Sequence, residues 1–122
     1  MKADEGVRSS GAMSERQRRL ALNEAVFRDV NERIRNTHER FELNPSTLDL
    51  VCECGQIDCT ERLTMSLADY EGVRADARQF AIVPGHDDDA VEVILVRRDT
   101  YDLVRKRPGE PAEVAEATDP RA

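Results

Sequence analysis

The sequence predicts an α+β fold: a long N-terminal helix packed on a small antiparallel sheet, with one turn stapled by metal. Three observations predict it. A helical pattern runs unbroken from about residue 14 to residue 41. Short apolar segments of strand length follow, several alternating with a period of two. All three cysteines, Cys52, Cys54 and Cys59, then fall inside eight residues, and one of only two histidines, His86, comes 27 residues after the last of them.

Residues 1–13 are small and polar with two glycines, and are expected to be a disordered tail. Ser14 and Gln17 form a capping-box pattern that starts the helix. Leu20, Phe27, Ile34 and Phe41 recur every seven residues, Val30 lies on the same side, and Leu22 and Val26 are expected to widen the apolar stripe. Asn44-Pro45 ends the helix, because proline cannot continue the hydrogen-bond ladder. The heptad spacing also admits a coiled coil, although Asn23 and Thr37 interrupt the seam. At 1.5 Å per residue the helix is about 40 Å long. That exceeds what a small domain covers, which leaves part of it for a partner, including a second copy in a homodimer.

From Thr47 to Glu53 the chain alternates, with Leu48, Leu50 and Cys52 on one face and Asp49, Val51 and Glu53 on the other. This is a strand leading into the cysteine turn. Arg62 to Ser66 is a returning strand. Ser66, with Asp69 three residues on, caps a second helix whose apolar side is Leu67, Tyr70 and Val73. Phe80 to Val83 is a short strand stopped by Pro84-Gly85, and Asp87-Asp88-Asp89 is an acidic loop. Val91–Val96 and Tyr101–Lys106 form a hairpin turning near Arg98-Asp99. Residues 14–107 are thus a single domain. From Pro108 to residue 122, recurring Pro and Glu predict a flexible C-terminal tail.

Composition limits what this domain can be. Charged residues make up 35% of the 122, Trp is absent, and Phe and Tyr number three and two, so the core is small and mostly aliphatic. Domains of this kind often gain stability from a metal or from oligomerisation. The net charge is −7, from 25 acidic and 18 basic residues. That argues against direct nucleic-acid binding, which needs a positive footprint. The acidity is concentrated: residues 47–89 carry three Arg and ten acids, a net −7. Beside a plain solvated surface, this region is a candidate face for a basic protein partner. No apolar run approaches the ~18 residues of a membrane helix, and the N-terminus has no secretory apolar segment. A cytoplasmic location is expected. In a reducing compartment, three close cysteines point to metal or redox chemistry rather than to a structural disulfide.

Three thiolates and one imidazole make a Cys3His set, which closes a tetrahedral Zn2+ site. Cys52 and Cys54 project to one face if the strand stays regular. Gly55 can adopt positive φ and turn the chain so that Cys59 closes on the same point. His86, set by Pro84 and Gly85, is the expected fourth ligand, with Asp58, Asp87 and His38 as alternatives. A site with four protein ligands is structural, and its binding energy couples to folding. The same cysteines could instead serve as a thiol redox sensor, forming a strained disulfide and releasing metal. An iron–sulfur centre is a further, weaker alternative, as is a set of plain cysteines. A thiol or metal-dependent enzyme would need Cys59 and His86 as a nucleophile–base pair or an open coordination position. Clustered thiols fit ligation better, so no catalytic residue is assigned and the protein is expected not to be an enzyme.

The stretches Arg19–Ile34, Val51-Cys52-Glu53-Cys54-Gly55-Gln56-Ile57-Asp58-Cys59-Thr60-Glu61-Arg62, Tyr70–Arg74 and Pro84-Gly85-His86 together resemble a group of small hypothetical Cys3His proteins from soil actinobacteria. The resemblance spans about residues 18–107. It implies a bacterial, cytosolic setting and gives the Cys and His positions weight as a set. It implies no activity. The expected role is a small zinc-binding module for protein interaction or regulation.

Overall fold

The computed structural model describes residues 12–41 and 47–121. Its elements are α1 (Glu15–Phe41), β1 (Thr47–Val51), β2 (Arg62–Ser66), α2 (Leu67–Arg74), β3 (Gln79–Ile82), β4 (Glu92–Arg97), β5 (Asp102–Lys106) and α3 (Glu110–Ala117). The expected helix-then-sheet order is present, and the strands form two small antiparallel sheets. One pairs β1 with β2; the other has the order β3-β5-β4. The helix stop expected at Asn44-Pro45 and nearly all of the tail expected at 1–13 lie outside the described residues. No helix among the described residues is long and apolar enough to cross a membrane.

The starts of α1 and α2 obey the capping rule. The Ser14 hydroxyl accepts from the Gln17 backbone N–H, and the Gln17 side chain accepts from the Ser14 N–H. The Ser66 hydroxyl accepts from the Asp69 N–H at the start of α2. Each of these bonds satisfies a backbone donor that the helix start would otherwise leave unpaired.

In β1 and β2 the alternating residues meet as cross-strand pairs, Leu48 with Met65 and Leu50 with Leu63. With Tyr70, Val73, Ala81 and Tyr101 they form the larger apolar core. Beyond Cys52, whose N–H still donates to the Glu61 carbonyl, the chain leaves this pairing. The Glu53 N–H donates to the Ala81 carbonyl at 3.0 Å, which carries the strand across to β3 and joins the two sheets. A second core cluster forms at that crossing from Cys52, Cys54, Phe80, Ile82, Val104 and Ala115. The first half of the cysteine turn, Cys52 to Gly55, is therefore built into the interior.

Three expectations are corrected. The first concerns the buried face of α1. Leu22 and Val26 are 53% and 59% exposed, whereas Glu24, Arg28, Asn31 and Glu32 are buried. The helix faces the sheets with polar side chains, each of which has at least one partner, although Arg28 Nε itself is left without a hydrogen bond. Lys106 Nζ lies 2.7 Å from Glu24 and 2.6 Å from Glu92. Arg28 stacks 4.5 Å over the Phe80 ring and donates to the Ala115 carbonyl. Such groups tolerate burial only when paired and hydrogen-bonded.

The second correction is the C-terminal tail expected from Pro108. The segment forms α3, with Pro111 in its first turn, where a missing N–H costs nothing. Pro111, Ala112 and Ala115 are buried. Beyond α3, Arg121 donates to both Glu32 oxygens and to both Glu71 oxygens, clamping the chain end to α1 and α2. The third is the lower boundary. Met13 is buried with Ala21 and Val91, and its N–H donates to the Glu110 carboxylate. The packed unit runs from residue 13 to residue 121.

Candidate metal centre

Gly55 makes the turn that gathers the sulfurs. Its φ is +83°, a region closed to most L-residues. A Cβ there would also stand 2.7 Å from both the Leu20 carbonyl oxygen and Glu24 Cγ of α1. Only glycine lets the turn lie this close to the helix. The Asn23 amide donates to the Gly55 carbonyl at 3.0 Å and pins the turn there. The Cys59 N–H then donates back to the Gln56 carbonyl, completing the return.

His86 arrives from the other side of the cluster. Gly85, at φ +90°, redirects the chain after β3, and the His86 N–H donates to the Val83 carbonyl. The Val83 N–H donates to Cys52 Sγ at 3.1 Å, so the histidine loop and the first cysteine are tied directly.

The structure brings Cys52, Cys54, Cys59 and His86 together, with one donor atom from each lying within 4.8 Å of all the others. Asp58, Asp87 and His38 are not part of this group. His86 Nδ1 lies 3.6 Å from Cys52 Sγ and 3.8 Å from Cys59 Sγ. Metal–sulfur bonds of about 2.3 Å and metal–nitrogen bonds of about 2.05 Å at tetrahedral angles give an S···N edge of about 3.6 Å. The donor set and the spacing both fit a four-coordinate metal ion.

One contributor escaped the sequence reading. Glu61 Oε2 lies 3.2 Å from His86 Nε2. A carboxylate on Nε2 favours the tautomer with its proton there and leaves Nδ1 free to ligate, the usual outer partner of a metal-binding histidine. Its signal was present in retrospect: Glu61 follows Cys59 by two residues, at the start of the return to β2.

The thiols do not hold their protons equally. The hydrogen bond from Cys52 pulls the Cys54 thiol down to about 5, helped by the Gln56 backbone N–H and opposed by burial. The same hydrogen bond, together with burial, pushes the Cys52 thiol up. Burial also raises Cys59. The trio thus holds a thiolate stabilised by its neighbours, and binding a metal ion would release the protons that remain.

A cavity of about 500 Å3 opens beside the cluster, bordered by Cys54, His86, Glu24, Lys106 and the Asp87–Asp89 loop. Burial, with Glu92 nearby, pushes the Glu24 carboxyl up to about 8, and Lys106 offsets part of the shift. One ammonium between two buried carboxylates neutralises only one of them, so the other tends to keep its proton.

Comparison with protein-family models, with curated proteins and with solved structures gives no match to this chain.

Proposed function

We propose that the protein is a small zinc-binding module whose Cys3His centre is structural and whose surface serves protein interaction or regulation. One observation carries the reading: four donor atoms from two separate loops converge within 4.8 Å. Thiolates with one imidazole select Zn2+ over harder cations. Four protein donors fill a tetrahedral shell and leave no position for water or substrate, which argues against an enzyme. The partner is another protein, met through α1 or through the acidic 47–89 region.

Redox sensing by the same cysteines draws support from the lowered Cys54 thiol. The burial of Cys52 and Cys54, 3% and 7% exposed, counts against it, because sensor cysteines need access to oxidant.

Metal removal separates these readings. The purified protein should resist alkylation, and a strong chelator should release one Zn2+ per chain, open all three thiols to reagent and collapse the thermal transition. A single fast-reacting cysteine in the metal-loaded protein would contradict a closed structural site. Reversible loss of zinc to dilute peroxide, with the fold intact, would favour the sensor.

A further inference from the structure

The outward face of α1 leaves two apolar side chains, Leu22 and Val26, uncovered. Arg19, Leu22, Asn23 and Val26 follow one another at helical spacing. Leu22 is 53% and Val26 59% exposed, and Ile57, in the loop between Cys54 and Cys59, is 78% exposed. Among the described residues only Leu95 is another large hydrophobic side chain so exposed. Leu20, Leu22 and Ile57 line one open groove of about 400 Å3, with Arg16 and Arg19 toward the start of the helix. Surface apolar groups that gather into one groove, rather than scatter, mark a contact site.

The charge at this groove runs against the rest of the chain. The protein carries a net −7, yet the groove presents two guanidinium groups. Among the described residues Arg16 makes no ion pair. Arg19 approaches Glu15 only at 3.9 Å, with both side chains about 70% exposed, a contact of little strength. Both cations are therefore available to an incoming carboxylate.

We infer that this groove docks a peptide segment of another protein, one that places an apolar anchor side chain beside one or two carboxylates. The inference rests on the protein-interaction reading above and gives the partner its chemistry. A second copy of this chain is a poor occupant, because it would bring its own Arg16 and Arg19 to the contact while no carboxylate lines the groove to meet them. The site also has a reason to stand next to the metal centre. The loop that presents Ile57 ends in ligands on both sides, and Asn23 holds its Gly55 carbonyl against α1. The groove wall is as rigid as the cluster that closes it.

The probe is a displayed library of random 12-residue peptides, selected on the purified full-length protein, with zinc content measured in the same sample. Enriched sequences should pair Leu, Ile, Met or Phe with neighbouring Asp or Glu. A synthetic copy of the best should bind Leu22→Asp and Ile57→Asp about ten- to a hundred-fold more weakly, the range expected for one buried aliphatic anchor. Arg16→Glu combined with Arg19→Glu should weaken it about tenfold or more at low salt, less at high salt. All these side chains are exposed or at the rim, so circular dichroism and zinc content should match the parent. The inference is overturned if no sequence is enriched, or if the enriched peptides bind the variants as tightly as the parent. It is also overturned if the protein self-associates and Ile57→Asp abolishes that association, which would make the occupant a second copy. A zinc-free protein that still shows the expected peptide pattern would remove the metal reading and leave the groove standing. A zinc-loaded protein whose variants bind normally would do the reverse.

Discussion

Cys54→Ser should strip the bound metal and melt the domain. Cys54 contributes one of the four convergent donors, and its side chain belongs to the second apolar cluster. A serine oxygen is a poor replacement for a thiolate at a soft metal site. The loss has two parts. Removing one ligand opens the coordination shell, and the two remaining sulfurs with His86 no longer clamp the Gly55 turn to the loop after β3. Binding of zinc to zinc-finger peptides is worth about 10–16 kcal/mol near neutral pH. The described residues form two sheets and three helices of their own, so only part of that is at stake. Even ~3 kcal/mol would lower Tm by roughly 10–20 °C in a domain of this size. Elemental analysis and thermal denaturation of parent and variant, side by side, read both effects. A variant with full metal content and an unchanged Tm would remove Cys54 from the site and the metal from the fold.

The second large effect is expected at Glu53, between Cys52 and Cys54. Its carboxylate has no solvent exposure. One oxygen accepts from Arg74 Nη2 and from the Ala81 N–H, both at 2.9 Å, and the other accepts from the Asn31 amide at 2.7 Å. Asn31 in turn exchanges two hydrogen bonds with the Val51 backbone. One side chain thus links α1, α2 and β3 at the point where the chain crosses between the sheets. Glu53→Gln keeps the shape but removes the charge and turns one acceptor into a donor. Arg74, whose side chain is 2% exposed, is left as an unpaired buried cation. Breaking one partner of a buried pair in this way costs about 3–5 kcal/mol, a large share of the ~5–15 kcal/mol that holds a domain together. Urea denaturation should show it as a matching drop in midpoint. The double variant Glu53→Gln/Arg74→Met should lose less than the two single losses added together, because the pair acts as a unit. A Glu53→Gln midpoint close to that of the parent would contradict the network.

Elements whose signals are local were legible in the sequence. Ser14 with Gln17, and Ser66 with Asp69, announce helix starts through bonds that span only three residues. Leu48 and Leu50 show their burial through strict alternation. Gly55 and Gly85 sit where positive φ is needed, and the four donors converge as their chemistry predicts. What escaped depends on tertiary partners. Glu24, Arg28 and Asn31 are at helical spacing on α1, but a charged or amide side chain is read as solvent-facing until its buried partner is known. Lys106 from the hairpin, Ala115 from α3 and Glu53 from the crossing supply those partners. With that face buried, Leu22 and Val26 rotate outward. Alternation places Glu53 on the face opposite Leu48 and Leu50, because it assumes that β1 continues straight. The strand leaves its partner after Cys52, and Glu53 enters the interior against β3. In α3, the Pro and Glu content looked loose. The same segment holds Pro111 at a permitted first-turn position, followed by Ala112 and Ala115 at helical spacing, and Arg28 and Arg121 tie it down from a distance.

The central claim is that one Zn2+ ion joins the cysteine turn to the His86 loop. X-ray absorption at the zinc edge of the purified protein, with metal stoichiometry from the same preparation, tests it most directly. One zinc per chain is predicted, with three sulfurs at about 2.3 Å and one nitrogen at about 2.0–2.1 Å. A substoichiometric metal, or a shell of mainly oxygen and nitrogen, would contradict it.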